Sequence, residues 1–112
     1  MRVLKTYWFH RFAKKQNILD SDLLDAVERA EKGQIDADLG GGLIKQRVAR
    51  QGEGKRSGYR TFILHRSAER AFFVYGFAKN EQENITKAET AAFKELRIML
   101  DVPDRKLDSM IE

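Results

Sequence analysis

Between Leu43 and Lys79 lie nine basic residues: Lys45, Arg47, Arg50, Lys55, Arg56, Arg60, Arg66, Arg70 and Lys79. Only two acids, Glu53 and Glu69, stand among them. Nine less two leaves this stretch at +7, whereas the whole chain is +4 and the remainder therefore −3. Cations set along strand-like runs on a mildly acidic frame suit a polyanion such as RNA. A guanidinium can hold two phosphoryl oxygens at once, and an ammonium acts as a compact point charge.

Other chemistries have less to work with. The chain has no cysteine, which excludes disulfides, thiolate metal sites and thiol nucleophiles. The two histidines, His10 and His65, are far apart in sequence. The acid pairs Asp36/Asp38 and Glu81/Glu83 have no matching ligand set, so neither a metal nor a cofactor is expected. Gly40 to Gly42 precede a strand without a Walker-type lysine and serine, so they are read as a turn and not as a phosphate loop. Four groups could move protons. Alternation turns Tyr59 away from Arg60 into the core and puts His65 on the side of Tyr59. Tyr75 is read as core and His10 as surface.

The elements that must position the cations follow from period and punctuation. Residues 2–6 can form a short strand. From Tyr7 to Gln16, Trp8, Phe9, Phe12 and Ala13 recur at helical spacing and form a core face, with Arg11, Lys14 and Lys15 outward. A second helix starts at Asp20 or Ser21, carries Leu23, Leu24 and Val27 inward, pairs Asp25 with Arg29 and Glu28 with Lys32, and stops at Gly33. A polar link, residues 34–42, changes direction. Leu43 to Arg50 alternates, with Lys45 and Arg47 on one side and Ile44, Gln46 and Val48 on the other. Gln51 to Gly58 reads as a flexible hairpin loop, and residues 59–65 and 71–77 as two strands joined at Ser67 to Arg70. Thr86 and Glu89 make a capping box for a last helix, with Ala88, Ala92, Phe93, Leu96, Met99 and Leu100 as its apolar stripe. Pro103 ends it, and residues 103–112 hold one further weak turn. The order predicts an α+β domain over residues 1–112: a small antiparallel sheet, helices on one face, and an open face where Lys45, Arg47 and Arg60 converge.

The series GLIKQRVA, a glycine-rich basic loop, SGYRTFIL, a strand ending GFAKNE and a capped helix resembles the RelE/HigB superfamily of toxins from bacterial type II toxin–antitoxin systems. The HigB-type subgroup is the nearest in pattern, over roughly Thr6 to Leu100. The resemblance implies an mRNA interferase of β-α-α-β-β-β-α order, an endoribonuclease that cuts translated mRNA at the 70S ribosome. It implies a cognate antitoxin, usually a helix-turn-helix protein, and a hetero-oligomer with it. By the same resemblance the catalytic cations fall on Lys45, Arg47, Arg60 and Lys79. The loop from Gln51 to Gly58, with Lys55 and Arg56, reads as a phosphate-tracking element, and Arg50 and Asn80 are expected as further RNA contacts. RelE itself has an arginine where this chain has Asn80, and a catalytic tyrosine where it has Ile85 or Thr86. Neither can replace a cation or a phenol.

Such a site needs no metal, because the 2′-OH of RNA can attack its own neighbouring phosphate. Arg60 and Arg47 are then the stabilisers of the extra charge on phosphorus, and losing one such contact costs ~3 kcal/mol. The alternative is a non-catalytic RNA- or DNA-binding or antitoxin-interaction module on the same basic sheet, with Phe73, Tyr75 or Phe77 facing outward as stacking platforms. The first residues show no secretory h-region, and no apolar run nears the roughly 20 residues of a membrane helix, so the chain reads as cytoplasmic.

Overall fold

The computed structural model describes residues 1–50, 54–82 and 84–106, and the side chains of 50 and 54–57 lie outside that description. The elements are β1 (Arg2–Lys5), α1 (Tyr7–Gln16), α2 (Asp20–Glu31), β2 (Ala37–Gly40), β3 (Leu43–Arg50), β4 (Gly54–Arg66), β5 (Arg70–Ala78), α3 (Lys87–Glu95) and a 3₁₀ turn (Leu96–Leu100). They form an α+β domain whose five-stranded sheet has the order β1-β5-β4-β3-β2.

Local signals explain where the helices begin and end. Thr6 caps α1 by accepting a hydrogen bond from the Phe9 amide (3.1 Å), and Asn17, in the left-handed region at φ 58°, closes it. The Asp22 carboxylate accepts from the Leu19 amide (3.1 Å) at the start of α2. Gly33 follows the helix at φ 77°. Both expected pairs along α2 are present, Asp25 with Arg29 at 3.1 Å and Glu28 with Lys32 at 3.6 Å. The Thr86/Glu89 capping box of α3 is made in both directions, at 3.0 and 2.9 Å.

The sheet differs from the expected one in three ways. It is mixed: β1 runs parallel to β5, with Arg2 beside Arg70 and Lys5 beside Phe73, while the other pairs are antiparallel. The link at residues 34–42 contains a fourth antiparallel partner, β2, and its turn into β3 uses Gly40, Gly41 and Gly42 at φ 85°, 63° and 85°. A side chain is strained at such angles, and a Cβ on Gly42 would also meet Leu100 at 3.4 Å. The predicted loop at Gln51 to Gly58 is mostly strand, since β4 already begins at Gly54; residues 51–53 lie outside the described set.

Apolar residues separate cleanly onto two faces. Phe9, Ala13, Leu23, Ala26 and Val27 of α1 and α2 bury Ile44, Val48, Tyr59, Ile63 and Phe73 on the first face. Two hydrogen bonds from Gln46 Nε2, to the carbonyls of Ala26 in α2 (2.9 Å) and Gln34 in the link after it (3.0 Å), fasten both to β3 through that core. The second face was expected to stay open. Instead Leu4, Leu43, Phe62, Leu64, Phe72 and Val74 are buried there against Phe93, Met99, Leu100 and Val102. Completely burying each Phe contributes about 1.5–3 kcal/mol.

That cover is thin along α3. Ala88, Ala92 and Leu96, expected in its packed stripe, are exposed, and Phe93 is the side chain through which the helix reaches the sheet. The following segment is held more firmly. Arg70 is buried, and its Nη1 donates to the carbonyls of Met99 (2.7 Å) and Val102 (2.6 Å) while Nη2 reaches Asp104 (2.7 Å). Arg66 adds Asp101 at 2.7 Å. The helical turn expected after Pro103 starts at residue 104, and 107–112 lie outside the described residues.

A β-bulge interrupts the pairing of β4 with β5. Phe62 lies opposite Tyr75, yet Ile63 lies opposite Phe73. The extra residue is Val74, and it and Tyr75 both belong to the second face.

Candidate functional site

Strand alternation and register build the site together. Arg47 of β3 and Arg60 of β4 are directly paired, and Lys45 lies beside Phe62. Arg60 is in turn paired with Phe77 of β5. All share the face of Phe62 and Leu64, the second face, at the end away from the strap that Arg66 and Arg70 hold. Lys79 lies in the turn just after β5: its amide donates to the Gly58 carbonyl (3.3 Å), and its side chain is exposed. Of the four residues chosen from sequence, Lys45, Arg47 and Arg60 thus share one sheet face, and Lys79 follows the end of the neighbouring strand. Asn80 is exposed next to Lys79. The side chains of Arg50, Lys55 and Arg56 fall outside the described residues.

Arg60 is the unusual member. It is 7% exposed, and its Nη1 is fully buried with no hydrogen-bond partner among the described residues. Burial, and after it the neighbouring Arg47 charge, lower its pKa from the ordinary guanidinium value, while Asp36 acts the other way. The group nonetheless remains a cation at neutral pH. A buried, unsatisfied cation is costly unless an anion arrives to meet it.

Arg47 is more open, and its Nε lies 3.3 Å from Oδ2 of Asp36. That nitrogen makes no hydrogen bond among the described residues, so the pair is a Coulombic contact without aligned donor geometry. Sequence reasoning missed Asp36, which it considered only as half of an acid pair for metal. Its position just before β2 places it opposite β3 only once the sheet is formed, and no local spacing signals that. Among the described residues, no group of three or more His, Asp or Glu side chains is placed to share a metal ion.

Two of the nine basic residues do not belong to this surface. Arg66 and Arg70 hold the strap at residues 99–104, at the far end of the same face. The aromatic and titratable candidates also sort out. Tyr59 is buried on the helix side, with its hydroxyl 3.3 Å from the Gln16 carbonyl. His65 faces α2 and meets Glu31. His10 is exposed. Tyr75 is stacked between Trp8 (4.6 Å between centroids) and Phe93 (5.2 Å). Burial raises its phenol above the ordinary value, Glu89 adds to this, and a hydrogen bond with Gln82 opposes it. Trp8, expected in the core, is 47% exposed beside a groove of about 540 Å³ that also includes Arg11, Lys15 and Phe77.

This architecture defines a small α+β protein with a mixed sheet and a cluster of cations at one end of its second face. The family model described as the RelE toxin of the RelE/RelB toxin–antitoxin system matches residues 1–112, and the chain belongs to that family. It is therefore a toxin of a toxin–antitoxin system, with an antitoxin for its partner. No curated protein matches it. Among the described residues, no helix is long and apolar enough to cross a membrane.

Proposed function

We propose that this toxin is a ribosome-dependent endoribonuclease, an mRNA interferase that cuts translated messages in the cytoplasm. The chain acts as a single domain, is kept inactive in a hetero-oligomer with an antitoxin of helix-turn-helix type, and engages mRNA on the 70S ribosome. The observation that carries this reading is Arg60, a nearly buried guanidinium with an unpartnered nitrogen, paired across the sheet with Arg47 at the end away from the strap. A phosphodiester meeting the more exposed Arg47 would bring an acceptor to the pair, which the Arg60 fork reaches by turning outward from its buried position. As the 2′-OH attacks, charge grows on the non-bridging oxygens, and fixed cations stabilise the pentavalent state more than the ground state. Lys45 and Lys79 extend the positive field along the RNA, with Asn80 and the basic residues Arg50, Lys55 and Arg56 as further contacts. The route calls for no metal.

One observation favours a second reading, a non-catalytic module that binds RNA, DNA or the antitoxin: the position after Lys79 is an exposed asparagine. Against it, the aromatics are poorly placed for stacking bases. Phe73 faces α1, Phe77 is 4% exposed, and Tyr75 is already stacked on two sides.

Induced expression of the isolated chain in bacteria, with primer-extension mapping of translated messages, separates the two. Growth arrest with codon-phased cuts, both lost in Arg60→Ala, is the expected result. Intact messages in cells holding folded protein would establish the binding module instead.

A further inference from the structure

The candidate site has cations in plenty but no obvious acceptor for the proton of the attacking 2′-OH. Tyr59 and His65 are on the wrong face, Tyr75 is stacked between two rings, and His10 is outside the site. The structure brings one carboxylate to the arginine pair, that of Asp36. It lies 3.3 Å from Arg47 Nε and acts electrostatically on Arg60 as well. The Asp36 amide is fixed to the Lys45 carbonyl (3.2 Å), which holds the residue against β3. Its side chain is 28% exposed, so it is accessible from solvent. The contact with Arg47 lacks hydrogen-bond geometry, since Arg47 Nε has no hydrogen-bond partner among the described residues. A carboxylate needed only to orient Arg47 would be expected to accept an aligned bond from Nε, as Asp25 does from Arg29 Nε at 3.1 Å.

We propose that Asp36 is the general base of this site, taking the proton from the ribose 2′-OH next to a phosphodiester held by Arg47 and Arg60. The assignment rests on the endoribonuclease reading above. The 2′-oxygen forms a bond to phosphorus as its proton passes to Asp36, and the bond from phosphorus to the 5′-oxygen breaks. The products are a 2′,3′-cyclic phosphate and a 5′-hydroxyl, whose oxygen takes a proton from water; the hydroxide so formed takes the proton from Asp36 and restores the carboxylate. Nothing is oxidised or reduced. The charged groups around Asp36 are Lys45 and Arg47 on β3 and Arg60 on β4. On the α2 side, Arg29 donates to the Arg47 carbonyl (2.6 Å) and is itself paired with Asp25. Asp36 is the one proton acceptor in this group aimed at the cations of the second face.

The test is single-turnover cleavage of a short message on programmed ribosomes. It compares the full-length wild-type chain with Asp36→Asn, Asp36→Glu and Arg47→Lys. Thermal melting and ribosome binding are measured in parallel, and a message with one 2′-deoxyribose at the cut serves as control. Loss of a general base typically slows the step about 10²–10⁴-fold. The expected result is a loss of that size in Asp36→Asn, in protein that still folds and still binds the ribosome. Asp36→Glu should recover part of the rate. A full rate in Asp36→Asn overturns the proposal. So does a reduced rate that Asp36→Glu fails to raise, or a loss that Arg47→Lys reproduces in full, because Asp36 would then act only through Arg47. If wild type cuts nothing, or cuts the deoxy message, the endoribonuclease reading itself fails and this assignment goes with it.

Discussion

Arg47 and Arg60 stand directly opposite each other on adjacent strands, like charges in a paired position of one sheet face. Asp36 is the one carboxylate within ion-pair distance of either among the described residues. Like charges directly opposite destabilise a sheet by roughly 0.2–1 kcal/mol, and the buried Arg60 adds a desolvation cost. Arg60→Leu should therefore raise the urea midpoint while lowering cleavage about 10²–10³-fold. A lower midpoint in that variant would mean that Arg60 supports the fold and was misassigned.

Arg70 makes the opposite prediction from the same face. Its guanidinium fills the carbonyls of Met99 and Val102 and meets Asp104. Arg70→Ala leaves those acceptors without their donor, at a cost of about 1–3 kcal/mol. Urea denaturation should show that loss, and the protein that remains folded should still cleave. Equal damage to activity at full folding would place Arg70 in the site.

Acid should loosen the contact between α2 and the β4–β5 turn. Glu31 accepts from the Ala68 amide at 2.7 Å and meets His65. The Ala68 bond chiefly, with His65 adding and burial opposing, lowers its carboxyl pKa from the ordinary 4.5. A lowered folded value means stability that is present above the unfolded value and lost as pH falls through the folded one. Glu31→Gln should be less stable than wild type at neutral pH. The difference should shrink below pH 4.5, as followed by melting temperature against pH. A gap of constant size down to strong acid would refute the linkage.

Gly76 couples the fold to the site. A Cβ there would come within 2.9 Å of Phe12, 3.0 Å of Phe9 and 3.3 Å of the Arg60 carbonyl. Such overpacking typically costs about 1–3 kcal/mol. Gly76→Ala is expected to lose that much in denaturant and to shift Arg60 enough to slow cleavage. Unchanged melting would show that α1 can move aside freely.

The helices were legible because their signals are local: Thr6, Asp22, Thr86 with Glu89, and the charge pairs of α2 all lie within one or two turns. Lys45, Arg47 and Arg60 could be placed on one face because alternation is a local rule as well. β2 was not legible, since ADLG lacks the β-branched and aromatic residues that mark strands. The parallel pairing of β1 with β5 depends on strand order, which only tertiary packing decides. For the same reason Arg66 and Arg70 were counted as surface cations when their partners lie some thirty residues further along. Asp36 belongs to this group, an acid whose role depends on a strand pairing that its neighbours do not announce.

The extra residue in β5 sets the phase of everything after it. Val74 and Tyr75 face the same way, so the odd-numbered positions that pointed towards α1 at Phe73 point towards the arginines at Phe77. Without that slip, Phe77 would turn towards the helix layer and Gly76 would vacate its niche under Phe9 and Phe12. Which side chains this strand offers to a ligand is thus decided by a count of peptide units as much as by their chemistry. Shortening β5 by one residue would reassign its outer half with no change in composition beyond a single valine.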